Sequence, residues 1–297
     1  MTGLSFRVGL RILASEYKQC GDCRKRVMLR SPALPSQRRG PAIQPPKIAL
    51  GGAVDKSRSG SGTVPMPHSA PPRRSIVLTG ASQGLGKAVC ETLRSEIFAG
   101  DQRILIGRSA TEGPGSAETF LQRDLSQDRF DADGILIAPD VARLIFVNNA
   151  GTVEPIASFA RIDPIELHKA MNVNFASPLA IAQHLARVAR ARSIPLLVLN
   201  VTSGAALRPV AGWTAYCTSK AAIRSALDVL ALEEESVSVL HFDPGVIDTP
   251  MQARIRQSAP EDMPEVDAFR AMARENQLQT AAAVAGKLSG IIRDFAA

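Results

Sequence analysis

Short apolar runs recur along the chain from residue 75 onward, each closed by a polar or glycine-containing turn. They are Ser75-Ile-Val-Leu-Thr79, Arg103-Ile-Leu-Ile-Gly107, residues 119–122, Leu144-Ile-Phe-Val147, Leu196-Leu-Val-Leu199 and Val237-Ser-Val-Leu-His-Phe242. Most lack the apolar–polar alternation of a half-exposed strand, so they read as strands buried on both faces, as in a parallel sheet. Between them lie stretches with helical spacing at 87–98, 163–192, 215–232 and 280–292. Alternating strands and helices predict one doubly wound α/β domain with a single parallel sheet in the order 3-2-1-4-5-6. No seventh apolar run follows the last helical stretch.

Local signals refine this frame. Asp163-Pro-Ile-Glu166 is a helix start, with Asp as N-cap, Pro in the first turn and Glu two residues further. Pro178 falls inside that helical stretch. Lacking an N–H, it leaves the carbonyl of Asn174, four residues back, without its usual partner; the expectation is a kink and a carbonyl able to hold water. Residues 109–119 are too rich in Gly, Pro and Ser for a firm helix, and residues 251–276, with Pro260 and Pro264, read as a mobile lid.

Charge separates the chain into two parts. Its net charge is +7, but residues 1–74 hold fourteen Lys/Arg and three acids, net +11, which leaves −4 for the remainder. The basic balance therefore belongs to the start of the chain, and nucleic-acid binding by the domain is not expected. Residues 1–72 are crowded with Pro, Ser, Gly and Arg and lack apolar periodicity, so they read as a disordered leader to a domain spanning 73–297. The leader could imitate an organellar transit peptide, although a start of translation at Met66 is the preferred reading. Cys20 and Cys23 form a lone C-x-x-C without further ligands, so no metal site is expected. Four scattered cysteines and no membrane-length apolar run suit a cytoplasmic protein without a membrane partner.

Candidate chemistry gathers at the strand ends, where open α/β sheets hold their ligands. Gly80, Gly84 and Gly86 stand between the first strand and its helix, letting the chain turn and a pyrophosphate approach a helix N-terminus. The second strand ends in Gly107-Arg108 rather than a carboxylate. A guanidinium there suits the 2′-phosphate of NADP, so NADP(H) is expected over NAD(H), which stays possible; Gln83 adds no second charge. Tyr216 and Lys220, four residues apart on the Ala-rich helix, share one face. Ser203 leaves the fifth strand thirteen residues earlier. A lysine cation beside the tyrosine favours its phenolate and is expected to lower its pKa.

Ser203, Tyr216 and Lys220 resemble the Ser/Tyr-x-x-x-Lys site of the short-chain dehydrogenase/reductase superfamily, a Rossmann-fold group, and the resemblance runs from Arg73 to the C-terminus. The glycine loop Thr79–Gly86, Asn148-Asn-Ala-Gly151 and Pro244–Pro250 match its other signatures. The resemblance implies cofactor contacts from Gly80, Ser82, Gln83, Gly84, Leu85 and Gly86, and from Asp124 and Leu125 near adenine. It adds Asn149, Ala150 and Gly151, then Pro244, Gly245, Ile247 and Thr249 near the carboxamide, with Tyr216 and Lys220 at the ribose. It gives Ser203 and Tyr216 the substrate carbonyl, and Asn174 a water leading to Lys220. The implied activity is NADPH-dependent reduction of a small-molecule carbonyl in a homodimer or homotetramer. Residues 212–222 with 244–252 are most similar to benzil and sepiapterin reductases, which implies aromatic or vicinal diketone substrates. An NAD-dependent alcohol dehydrogenase and a non-catalytic nucleotide sensor of the same fold are the alternatives.

Overall fold

A computed structural model describes residues 73–109 and 117–295. The readings of residues 1–72, Cys20 and Cys23 among them, and of most of the 109–119 connection fall outside these residues. Six parallel strands form one sheet: β1 (Arg74–Thr79), β2 (Gln102–Gly107), β3 (Glu118–Gln122), β4 (Arg143–Asn148), β5 (Leu196–Val201) and β6 (Val237–Phe242). Their order is β3-β2-β1-β4-β5-β6, as the alternation of runs predicts. β1 and β5 are buried at every position, which is why their sequences are continuous rather than alternating. The outer strands β3 and β6 are partly exposed.

Seven α-helices flank the sheet among the described residues: α1 (Gly84–Leu93), α2 (Pro164–Met171), α3 (Ser177–Arg192), α4 (Thr214–Glu233), α5 (Pro250–Arg256), α6 (Val266–Arg274) and α7 (Ala281–Asp294). On one face Val89 and Leu93 of α1 and Val284 and Leu288 of α7 pack on Ile76, Leu78 and Ile145. On the other, Ile181 and Leu185 of α3 and Ile223 and Leu227 of α4 cover Val77, Phe146 and Val198. Each fully buried Leu, Ile or Phe of these layers contributes about 1.5–3 kcal/mol.

Two helical stretches differ from the sequence reading. The first helix begins at Gly84 rather than residue 87, so the second half of the glycine turn is itself the first helical turn. It ends at Leu93, and Glu96–Phe98 follows as a separate 3₁₀ turn. The 163–192 helix begins as expected, with the Asp163 side chain accepting from Ile165 N at 2.8 Å. It is interrupted, however, by a π-type turn at Asn172–Ala176 between α2 and α3. The proline at 178 cannot donate to the turn before it, and the chain widens there instead of simply bending. The 251–276 stretch, read as a mobile lid, holds the short helices α5 and α6, with Met263 and Val266 fully buried in one cluster with Trp213 and Tyr216. No described helix is long and apolar enough to cross a membrane.

Candidate active site

The strand ends open into a cavity of about 1030 Å³. Every residue expected at the cofactor lines it, from the glycine turn through Arg108, Asp124 and Asn149 to Gly245 and Thr249, as do Ser203, Tyr216 and Lys220. Asn174 alone among the expected residues stands behind the wall, 1% exposed.

The glycine turn is held by side chains outside it. Thr79 Oγ1, fully buried, accepts the main-chain N–H groups of Asn149 at 3.1 Å and Ala150 at 3.0 Å. Asn149 Nδ2 returns to the carbonyls of Thr79 at 3.0 Å and Gly80 at 3.2 Å. The two loops thus form one unit. Gly80 and Gly84 have φ of +73° and +53°, which side chains disfavour. At Gly86 a Cβ would stand 2.0 Å from the Gly80 carbonyl oxygen. That cradle presses the backbone against the first turn of α1, whose unpaired N–H groups suit a pyrophosphate, so these residues fit a dinucleotide.

Beyond the loops, a polar chain ties the three neighbouring strand ends. Asn148 Nδ2 donates to Asn200 Oδ1 at 2.9 Å, and Asn200 Nδ2 stands 3.0 Å from His241 Nδ1. His241 Nε2 lies 2.9 Å from Asp228 Oδ1 on α4. Burial lowers the His241 pKa. The neutral ring then carries its hydrogen on Nε2 toward the carboxylate and accepts from Asn200.

At the far end stand Ser203, Tyr216 and Lys220. Ser203 caps a short 3₁₀ turn, its Oγ accepting from Ala205 N at 3.2 Å. Lys220 Nζ donates to the Val201 carbonyl at 2.9 Å and lies 5.8 Å from the Tyr216 ring centroid. Burial pushes Tyr216 up to about 12, with the Ser203 hydroxyl pulling the other way, and burial takes Lys220 down to about 8. The expected lowering of the tyrosine by the lysine is corrected here: desolvation dominates and outweighs the pull of the Ser203 hydroxyl, because the phenol is buried where charge is disfavoured. Tyr216 is therefore protonated at neutral pH, and Lys220 predominantly cationic.

Asn174 is fixed more firmly than a freed carbonyl suggests. Its Oδ1 accepts Thr152 N at 2.9 Å, and its Nδ2 donates to Thr152 O at 2.8 Å and Ser219 Oγ at 3.0 Å. The π-type turn brings this side chain to the strap after β4. Gly151 separates it from the lysine, since a Cβ there would stand 3.3 Å from Asn174 Oδ1 and 3.6 Å from Lys220 Nζ.

Two other expected contacts are already engaged within the protein. Asp124 accepts from Ser126 N at 3.0 Å and Ser126 Oγ at 2.8 Å, closing its own turn, and these bonds lower its pKa. Thr249 Oγ1 caps α5 by accepting Gln252 N at 3.3 Å.

Sequence reasoning missed several residues that line or brace the cavity. Val153, Val210, Trp213, Met251, Ile255 and Phe269 form an apolar wall beside Tyr216. Trp213 meets Tyr216 edge-on at 5.3 Å and Phe269 at 5.4 Å. Nothing local distinguishes these positions from ordinary core. Gln279 also escaped notice: its Nε2 donates to Pro244 O at 2.8 Å, and its main chain bonds Val246 and Asp248, clamping the loop that holds Gly245 and Ile247.

A doubly wound sheet with a glycine cradle at its switch point, and a Ser/Tyr/Lys cluster at the other end of the same cavity, defines a dinucleotide-dependent oxidoreductase. The short chain dehydrogenase family model matches residues 74–260, and the chain belongs to that family. Benzil reductase ((S)-benzoin forming) from Bacillus subtilis is 31% identical over 228 residues, covering 73% of this chain and 92% of that protein. Sepiapterin reductase from Xenopus laevis is 32% identical over 195 residues, 59% of this chain and 74% of its own. Among solved structures, that of the KRED1-Pglu enzyme superposes with a TM-score of 0.63 at 26% identity, covering 73% of this chain and 94% of that one.

Proposed function

We propose that the protein reduces a ketone or diketone to an alcohol with NADPH, and that Tyr216 is the proton donor. The observation that carries this reading is Tyr216, buried beside Ser203 in the cavity that also contains the glycine cradle. Bound NADPH would supply the hydride. Ser203 would donate to the substrate oxygen and orient the carbonyl. As the carbonyl carbon gains the hydride, Tyr216 would release its proton to that oxygen, balancing the charge and leaving an alcohol. The Lys220 cation would stabilise the resulting tyrosinate, which burial alone disfavours. Asn174, locked to Thr152, would hold the water that returns the proton.

The apolar wall supports an aromatic substrate. Trp213 and Phe269 offer ring faces for edge-on or offset contacts within reach of Tyr216, and the names of the benzil and sepiapterin reductase relatives agree. The test is NADPH consumption with benzil, other diketones, quinones and simple ketones, with the alcohol identified as product. Absence of turnover with every carbonyl, despite tight NADPH binding, would favour a nucleotide sensor.

Two expectations follow at the ionisable groups. Lys220 loses its proton as pH rises through about 8, whereas Tyr216 holds its own to about 12. The kcat for reduction should therefore fall above about pH 8, and Lys220→Arg, if it folds, should move that alkaline limb upward. A profile flat to pH 10 removes the lysine from the mechanism. At the other end, Arg108→Ala should weaken NADPH by about 1.5–3 kcal/mol and leave NADH little changed. Equal weakening of both cofactors would assign Arg108 a structural role.

A further inference from the structure

The strand register places a second arginine beside Arg108. β2 and β3 are parallel with Gly107 opposite Gln122, so the next residues, Arg108 and Arg123, leave adjacent strand ends in step. Arg123 N donates to the Gly107 carbonyl at 2.8 Å, and Gln122 Nε2 donates to the Arg108 carbonyl at 3.2 Å, fastening the two ends together. Both residues line the cavity. Arg123 is half-buried, and its Nη1 donates to the Gln122 carbonyl at 2.9 Å. Its Nη2 would lie 3.2 Å from a Cβ at Gly134, so the guanidinium rests on bare backbone. Among the described residues no carboxylate lies within ion-pair distance of either arginine, and the Asp124 carboxylate is turned to its own Ser126, whose bonds, with Arg108 helping, hold its pKa lowered.

Adjacent cations normally cost stability, and two on a cavity wall suit an anion that both can reach. On the NADPH reading, we infer that Arg123 is a second specificity-determining residue, which with Arg108 forms a two-arginine clamp for the 2′-phosphate of the adenosine. A phosphate monoester carries close to two negative charges and three acceptor oxygens, matching two guanidinium forks. The strap from Gln122 to the Arg108 carbonyl keeps the forks in register. The clamp also answers the lack of a positive charge at Gln83 within the glycine turn.

The test uses binding, so it does not depend on turnover. Adenosine 2′,5′-bisphosphate and 5′-AMP are titrated calorimetrically into the full chain and into Arg108→Ala, Arg123→Ala and the double variant, at two salt concentrations. Arg123→Ala is expected to weaken the bisphosphate roughly tenfold or more and to change 5′-AMP less than about twofold. The salt dependence of bisphosphate binding should become shallower, and Arg123→Lys should recover part of the affinity. An unchanged melting temperature excludes a folding effect. If Arg123→Ala weakens both nucleotides equally, or neither, while Arg108→Ala weakens only the bisphosphate, the clamp is overturned and the NADPH preference stands. If neither arginine affects the bisphosphate, the NADPH preference itself fails.

Discussion

Tyr216→Phe is expected to lower carbonyl reduction by about 10²–10⁴-fold while dinucleotide affinity stays near native. Only the hydroxyl is removed. The ring keeps its edge-on contact with Trp213 at 5.3 Å, and the helix face bearing Lys220 is unchanged. With a buried phenol held up at about 12, the wild-type group stays protonated throughout the physiological range, so on the proposed mechanism the loss should appear in kcat rather than KM. Steady-state rates on an established substrate, paired with calorimetric NADPH binding, separate the two. Native turnover in Tyr216→Phe would falsify the proposed mechanism and leave the fold assignment intact.

The second large effect is expected at Gly86. A methyl group there would lie 2.0 Å from the Gly80 carbonyl oxygen and 2.5 Å from Asn149 Nδ2, so Gly86→Ala must push the turn off the helix or break the Asn149 bridge. Either movement displaces the N–H groups that face the cavity. Overpacking of this kind costs about 1–3 kcal/mol of folding stability. A cradle shifted by about 1 Å should lose dinucleotide affinity by about a hundredfold or more, by analogy with the cost of misplaced catalytic groups. Gly84→Ala is the comparison. Its nearest contact would be the Thr249 methyl at 3.3 Å, so its cost comes chiefly from the +53° φ and should be smaller. Binding isotherms and melting curves of both variants decide the matter. Near-native affinity in Gly86→Ala would remove the glycine turn from cofactor binding.

The strap residues explain why these two ends act together. Thr79 and Asn149 lock the glycine turn to the loop after β4. The same loop continues through Gly151 to Thr152, whose main chain holds Asn174. The glycine cradle and the Ser203/Tyr216/Lys220 end of the cavity are therefore joined by about four residues of backbone, pinned at both ends by these hydrogen bonds. The segment carrying α5 and α6 is fastened to the continuation of that loop by the Glu154–Arg254 pair and by Arg161 to Asp262 at 2.6 Å. The former links α5 to the cavity wall and the latter links the segment before α6 to the 3₁₀ turn at Phe159–Arg161. Partly exposed pairs of this kind contribute little stability individually, so they fix position more than they stabilise the fold.

Features that depend on neighbours in sequence were legible without a structure. The six strands are apolar runs, the glycine turn has its own spacing, Asp163 caps its helix, and Tyr216 and Lys220 share a face through helical periodicity alone. Helix limits around Gly84 and Pro178 were less legible, because a glycine turn can double as a first helical turn and a proline can be absorbed by a π-type widening. Other features depend on residues far apart in the chain. The partners of Asn174, the wall of Trp213 and Phe269 beside Tyr216, and the clamp of Gln279 on Pro244 exist only once helices pack on strand ends. Arg123 stands beside Arg108 because parallel pairing sets Gly107 against Gln122, a register that neither strand states by itself. Most tellingly, spacing placed a cation near the tyrosine and so suggested a lowered pKa, whereas burial raised it. Spacing fixes which side chains meet, but desolvation is set by everything packed around them, and only the tertiary structure decides that.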